Sequence, residues 1–234
     1  MTAGDRPDPR GFTLFEVLIA MFIFGVVITT VFGSYRTVFS SVDALESRID
    51  LQEMATVTFN RLTADLRATY VARGPAYLKP EFDDPPDPYR FILEPVYEAG
   101  GTFPRLRFTS FAHLPMGTDR REGIAEIVYY VESEDGFGDA EEARVLKRGD
   151  RLPPYPETFE ARETDPVLCE QVQSLEMILL DAEGEERDSW DSEATDEERA
   201  TPRAVAVTLE LGDENVSLFF ETVIEIPVYR EPVE

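Results

Sequence analysis

The chain has 234 residues, 43% of them hydrophobic, enough to bury the core of one ordinary domain and to carry an attached element. Its 47 acidic residues against 22 basic ones give a net charge of -25, which repels nucleic-acid backbones and disfavours flat docking onto anionic lipid heads. The single cysteine, Cys169, excludes an intramolecular disulfide and a thiolate metal cluster, and the single histidine, His113, allows a Ser-His-Asp triad only around itself.

Residues 1–11, MTAGDRPDPRG, are polar and contain two prolines. Phe12 to Gly33 then reads FTLFEVLIAMFIFGVVITTVFG, 22 residues whose one charge is Glu16. A bilayer core of about 30 Å needs about 20 helical residues, so this segment spans a membrane or packs in an equally apolar bundle. A secretory signal peptide is cut after small residues that follow the apolar run. Here SYRTVFSSV follows and fits poorly, so the span is expected to stay in the mature protein. Glu16 has two readings. It sits at the edge of the span and snorkels to the interface, or it needs a partner charge, because a carboxylate such as Asp costs about 2.5 to 3.5 kcal/mol at the centre of a bilayer helix and less near its end. Cleavage after Gly11 would create such a partner, the new amine of Phe12. On a neighbouring subunit staggered along the axis that amine meets Glu16, and an ion pair in low dielectric fixes register because either charge left alone is costly.

The string Gly11-Phe12-Thr13-Leu14-Phe15-Glu16 ahead of the apolar run resembles the cleavage and methylation signature of type IV prepilins and type II secretion pseudopilins. The resemblance implies cutting between Gly11 and Phe12 by a prepilin peptidase, N-methylation of Phe12 and an assembly contact through Glu16. Leaders of that family are usually net basic, whereas this one balances Arg6 and Arg10 against Asp5 and Asp8, so the positive-inside signal is weak. The leader is still placed in the cytoplasm, where the peptidase acts.

Between Pro9 and Pro75 there is no proline, and apolar residues recur at helical spacing through Val38, Val42, Leu45 and Ile49, then Leu51, Met54, Ala55, Phe59, Leu62 and Leu66. Asp43, Glu46, Arg48, Asp50, Glu53, Arg61 and Arg67 fill the other face. One helix is predicted from Phe12 to about Tyr70, ended by Gly74-Pro75. Its first part is an anchor and its second an amphipathic spine, whose stripe is divided between its own sheet and neighbouring helices.

After Gly74 the pattern changes to period two. Strands are predicted at 89–97, 103–112, 124–132, 143–148, 172–181, 203–211 and 216–229, the last broken near Pro227. Proline-rich loops at 79–88 and 152–156 and two acidic loops separate them. The fold class is therefore α+β, a long N-terminal transmembrane helix packed on antiparallel sheet, expected as two small sheets. The expected organisation is 1–11 leader, 12–34 transmembrane and assembly helix, 35–74 amphipathic spine and 75–234 β-rich periplasmic domain.

The order of several stretches is similar to the J-type minor pseudopilins of the type II secretion system. They are Asp65-Leu66-Arg67, the run Glu126 to Val131 followed by Val145-Leu146-Lys147-Arg148, Pro166-Val167-Leu168 leading into Val172 to Glu176, Asp188-Ser189-Trp190, and Thr201-Pro202-Arg203-Ala204-Val205. That resemblance implies a pilin-like fold and a single-pass inner-membrane protein with its C-terminal domain in the periplasm. It implies a place in the pseudopilus tip complex, which primes pseudopilus assembly for export across the outer membrane. The partners implied are the I- and K-type minor pseudopilins, with the H type as a further candidate, the major pseudopilin, the prepilin peptidase and the lipid of the inner membrane, with no nucleic acid. A PilW-like minor pilin of a type IV pilus and a membrane-tethered binding module or hydrolase stay open as alternatives.

Nothing in the sequence singles out an enzyme. No G-x-S-x-G, H-E-x-x-H or glycine-rich phosphate loop occurs. His113, at a strand end, reads as structural, and Cys169, beside a strand, as a small buried side chain. The stretch Asp181–Glu198 holds ten acids among eighteen residues and reads as a solvated loop anchored by Trp190, and the loop 132–142 with Glu134, Asp135 and Asp139 reads alike. No cofactor is expected. Calcium is the ion such loops suit chemically, but the D-x-[DN]-x-[DN]-G pattern is absent.

Overall fold

The structure is a computed structural model that describes residues 13–75, 77, 79, 85, 87–98, 100–115, 121–135, 142–156, 158–194, 199–213 and 216–232, the side chains of 36–44, 135 and 142 excepted. The chain divides into two compact units, 1–47 and 48–234. Helix α1, Leu14–Arg67, contributes to both.

In the first unit α1 carries the apolar segment Leu14–Tyr35, long and apolar enough to cross a membrane, with none of it buried by protein. Phe15, Met21, Phe22 and Phe32 are each more than 70% exposed. Thr29 Oγ1 and Thr30 Oγ1 donate to the carbonyls of Gly25 and Val26 at 2.7 and 2.8 Å, so these hydroxyls are satisfied within the helix. That is what a polar group facing lipid requires. Val38 and Val42, in the predicted stripe, lie outside the described side chains.

In the second unit α1 buries a single face. Leu51, Ala55, Thr58, Leu62, Asp65, Leu66 and Thr69 follow three-, four- and one-residue steps along that face and are buried. Ile49 and Val57 are 58% and 54% exposed. The stripe of the sequence therefore splits, and the residues from Leu51 onward pack on the domain's own sheets.

Two antiparallel sheets receive that face. The first has six strands in the order β5-β4-β3-β2-β1-β8. Its strands are β1 (Ile92–Glu98), β2 (Gly101–Ser110), β3 (Ala125–Asp135), β4 (Glu142–Arg151), β5 (Val167–Cys169) and β8 (Trp190–Asp191). The second has the order β10-β9-β6-β7, from β6 (Val172–Leu180), β7 (Glu186–Arg187), β9 (Ala204–Gly212) and β10 (Ser217–Glu225). The α+β, pilin-like layout expected from the sequence is the one observed. The core joins both sheets to the helix, with Phe91, Phe108 and Tyr129 stacked in sequence at centroid distances of 5.5 and 6.4 Å. Fully burying one such apolar side chain contributes about 1.5 to 3 kcal/mol. Gly212 turns β9 toward β10 with φ at +141°, where a Cβ would collide with the Val216 carbonyl oxygen.

Three expectations are corrected. The helix ends at Arg67, not at Gly74-Pro75. Thr69 Oγ1 caps the Leu66 carbonyl at 2.7 Å, and Thr69 then bridges to Ser110 of β2, with Tyr70 N bonded to the Thr109 carbonyl at 2.8 Å. Pairing with the end of β2 replaces the helical bonds before the proline is reached. The last strand stops at Glu225 because Ile226 N turns to the Arg203 carbonyl, 2.8 Å away. The acidic stretch 181–198 is not simply a loop. Its β7 pairs with β6 in one sheet and its β8 with β1 in the other, so it carries the chain between sheets. Trp190 is buried and its Nε1 donates to the Ala200 carbonyl at 3.2 Å.

Candidate functional site

Thr13 and Glu16 open α1. The Glu16 carboxylate accepts from Thr13 N and from Thr13 Oγ1, both at 2.9 Å and both on Oε2, while Glu16 N donates back to Thr13 Oγ1 at 3.3 Å. This is a capping box, in which N-cap and N3 residues satisfy each other's orphan donors. The T-x-x-E spacing signals it, and the sequence reading, occupied with the charge of Glu16, missed Thr13. Glu16 is the one charged residue in Leu14–Tyr35 and lies in the first helical turn, where the helix dipole favours an anion. Gly11 and Phe12, the residues of the expected cleavage and methylation, lie outside the described residues.

At the other end of α1 a buried charge network ties helix to sheet. Asp65 is fully buried. Its Oδ2 accepts from Arg148 Nε at 2.6 Å and from the Tyr129 hydroxyl at 2.6 Å, and its Oδ1 from Arg148 Nη2 at 3.2 Å and from Arg61. The Asp65 carbonyl accepts from Ser110 Oγ at 2.8 Å. Arg148 continues to Asp150 Oδ2 at 2.7 Å, and Asp150 Oδ1 lies 2.5 Å from His113 Nδ1. Burial works against the charge of Arg148, but its bonds to Asp65 and Asp150 outweigh that and raise its pKa. Burial, reinforced by the Asp65 charge, holds the Tyr129 phenol well above the ordinary range. Asp65, Tyr129 and Arg148 come from three of the stretches singled out in the sequence, and folding brings them into one contact. Arg61, expected on the polar face, turns inward to join them.

A second buried cation, Arg230, gathers the domain's tail. It donates to the carbonyls of Ala72, Ser192 and Arg199, at 3.3, 2.8 and 2.6 Å, and pairs with Asp87 and Glu193 at 3.0 and 3.1 Å. Its guanidinium lies 3.6 Å from the Tyr77 ring centroid. No local pattern signals this, because the five polar partners are scattered over more than a hundred residues.

His113 lines a cleft of about 620 Å³ with Asp150, Arg151, Arg162, Thr164 and Asp165. The cleft holds a His–Asp pair, but no nucleophile is hydrogen-bonded to the imidazole among the described residues. Cys169 is buried and burial pushes its thiol up to about 11, against the hydrogen bond with Thr58. Among the described residues no group of three or more His, Cys, Asp or Glu is placed to hold a metal ion. In the acidic stretch, Asp181 Oδ1 instead accepts from Glu183 N and Glu185 N at 3.0 and 2.8 Å. Residues 195–198 and 136–141 lie outside the described residues.

An exposed apolar helix opened by a capped acid, followed by a helix-on-sheet domain, defines a membrane-anchored, single-pass protein of the pilin-like class. Comparison with known families agrees at both ends. The prokaryotic N-terminal methylation motif matches residues 6–32, and Type II secretion system (T2SS), protein J, matches residues 33–222. The chain belongs to the type II secretion protein J family and is a minor pseudopilin; the family is one of structural secretion pseudopilins, not of enzymes. Membership implies other pseudopilins as partners and a prepilin peptidase as processing enzyme. Comparison with curated proteins finds no match.

Proposed function

We propose that the chain is made as a precursor, cut between Gly11 and Phe12, methylated on the Phe12 amine, and assembled into the tip complex of a pseudopilus that primes export across the outer membrane. In this reading 1–11 is the leader, 12–34 the transmembrane and assembly helix, 35–74 the spine segment and 75–234 the periplasmic domain. The leader lies on the cytoplasmic side. The partners at the tip are the I- and K-type minor pseudopilins, with the H type as a further candidate, and the major pseudopilin is a partner in the same assembly. The match over residues 33–222 favours a secretion subunit over a type IV minor pilin.

The observation that carries the reading is a lone acid on an otherwise apolar, wholly exposed helix start. Both Thr13 bonds fall on Glu16 Oε2, which leaves Oε1 without a hydrogen bond among the described residues. Cutting before Phe12 leaves the Thr13 amide intact, so the capping box survives processing. The helix start is then ordered while one carboxylate oxygen is offered to the amine of an adjacent subunit. In lipid that pair sets register, because an unpaired charge there is costly.

Replacing Gly11 by a bulky residue tests processing. Mass spectrometry of the membrane-extracted variant should find the first eleven residues attached, with secretion lost. A secretion-competent protein that keeps its leader refutes the proposal. Glu16→Leu should insert normally and fail to assemble.

A further inference from the structure

Strand β10 ends its sheet, and among the described residues it pairs only with β9. The pairing runs from Ser217↔Gly212 to Glu225↔Ala204 without a register shift. Proteins usually blunt such an edge with lysine, proline, a bulge or extreme shortness, because its free N–H and C=O groups invite another strand. Over its nine residues, SLFFETVIE, β10 has no lysine, proline or bulge, and its two charges are Glu221 and Glu225.

The face that β10 turns outward adds a pattern. Phe219 and Val223 are 66% and 61% exposed, and Val223 continues across the sheet through Ala206 and Ile178. Beside this apolar row stand Glu221 and Glu225 on β10, Glu210 on β9 and Glu176 on β6. No lysine or arginine occupies an outward position of these three strands. Glu210 is held by Ser174 Oγ and Ser217 Oγ at 3.1 and 2.5 Å, and the other three acids face solvent.

The charge pattern disfavours a second copy of this chain as the occupant in the two symmetric pairings that align its acids. Antiparallel pairing of two β10 strands about Glu221 sets Glu221 against Glu221, and in-register parallel pairing stacks every acid on itself. Like charges directly opposite are destabilising, and each chain already carries a net charge of -25. A strand of opposite charge meets no such repulsion and pairs with Glu221 and Glu225.

We propose that β10 is a docking edge for an extended strand of another protein in which basic and apolar residues alternate along one face. Main-chain bonds to the β10 edge supply affinity. Residues on the outer face of the added strand sit about 5 Å from their β10 neighbours, so the face reads apolar beside Phe219, basic beside Glu221, apolar beside Val223 and basic beside Glu225. On the added strand this is a basic residue at every fourth position with an apolar one midway. The inference does not depend on the tip-complex reading, and its test does not use secretion.

The test uses the full chain in detergent and a labelled nonapeptide, Lys-Thr-Val-Thr-Lys-Thr-Val-Thr-Lys, with its Glu-for-Lys counterpart. The basic peptide should bind about tenfold or more tightly than the acidic one at low salt, with the gap closing as salt rises. Hydrogen exchange should slow in β10 on binding. Phe219→Lys with Val223→Lys should weaken binding about tenfold while leaving the thermal melt unchanged, since both side chains are exposed. Glu221→Lys should reduce the preference for the basic peptide. Equal affinity for the two peptides, no binding of either, or protection away from β10 overturns the proposal.

Discussion

Helix α1 is one element with two surfaces. In Leu14–Tyr35 nothing is buried by protein, although nearly every residue is apolar. Between Leu51 and Leu66 one face is buried against sheet, and it includes the fully buried charge of Asp65. Hydrogen bonding within the backbone is the same in both stretches, so secondary structure does not separate them. What separates them is the medium each surface demands. The first is satisfied by lipid or by other apolar helices, the second only by the shape and charges of this chain's own sheets. Damage to the second should therefore unfold the domain, and damage to the first should leave it folded and stranded.

The sharpest break of that contrast lies at the buried charges. Removing the Asp65 carboxylate in Asp65→Ala leaves the buried Arg148 with Asp150 alone as ion-pair partner and strips the Tyr129 hydroxyl of its acceptor, and it should cost the domain about 3 to 5 kcal/mol, read from denaturant melts of the detergent-solubilised chain. Leu62→Ala, which empties a fully buried site, should cost about 2 to 5 kcal/mol in the same assay. By contrast Val27→Asp should leave that melt unchanged. It should block membrane insertion, at a cost of about 2.5 to 3.5 kcal/mol to the helix in the bilayer, as seen by fractionation. Ile49→Ala, on the exposed side of the spine, should shift the melt by about 0.5 kcal/mol or less, and a large loss would show that this side packs on the domain.

Alkaline pH acts on the domain alone. Burial pushes Tyr77 and Tyr155 up to about 12 and raises Tyr129 as well. These phenols hold their protons more tightly folded than unfolded. The stability they contribute is complete below about pH 10, where an unfolded tyrosine begins to ionise, and is lost as pH rises through 12. Melts should fall over that window, and tyrosinate absorbance should lag behind that of the denatured chain. Smallest of all is the effect at Cys169. With its thiol near 11, labelling by a disulfide reagent at pH 8 should be slow and should accelerate only on unfolding.

The capping box shows how a correct feature can hide another. Glu16 stands out as a charge in an apolar run, and that prominence obscures its simpler local partnership with Thr13. The spine shows the reverse. Its apolar steps are legible, yet Arg61 reads as an ordinary polar-face charge and nothing local marks Asp65 for burial. That burial depends on Arg148 and Tyr129, 83 and 64 residues away from Asp65. Helix termination failed for the same reason, since Thr69 leaves the helix to pair with Ser110, and propensity near Gly74 has no say in that.

By itself the sequence determined the anchor, the spine, most of the strands and the processing motif. Each rests on local chemistry: an uninterrupted apolar run, a 3.6-residue period, a two-residue period and a contiguous signature. Only the tertiary structure decided which strands share a sheet, how the acidic stretch passes between sheets, and which charges are buried with which. Those are contacts between distant residues, chosen by the mutual satisfaction of apolar surface and ion pairs, and no local period records them.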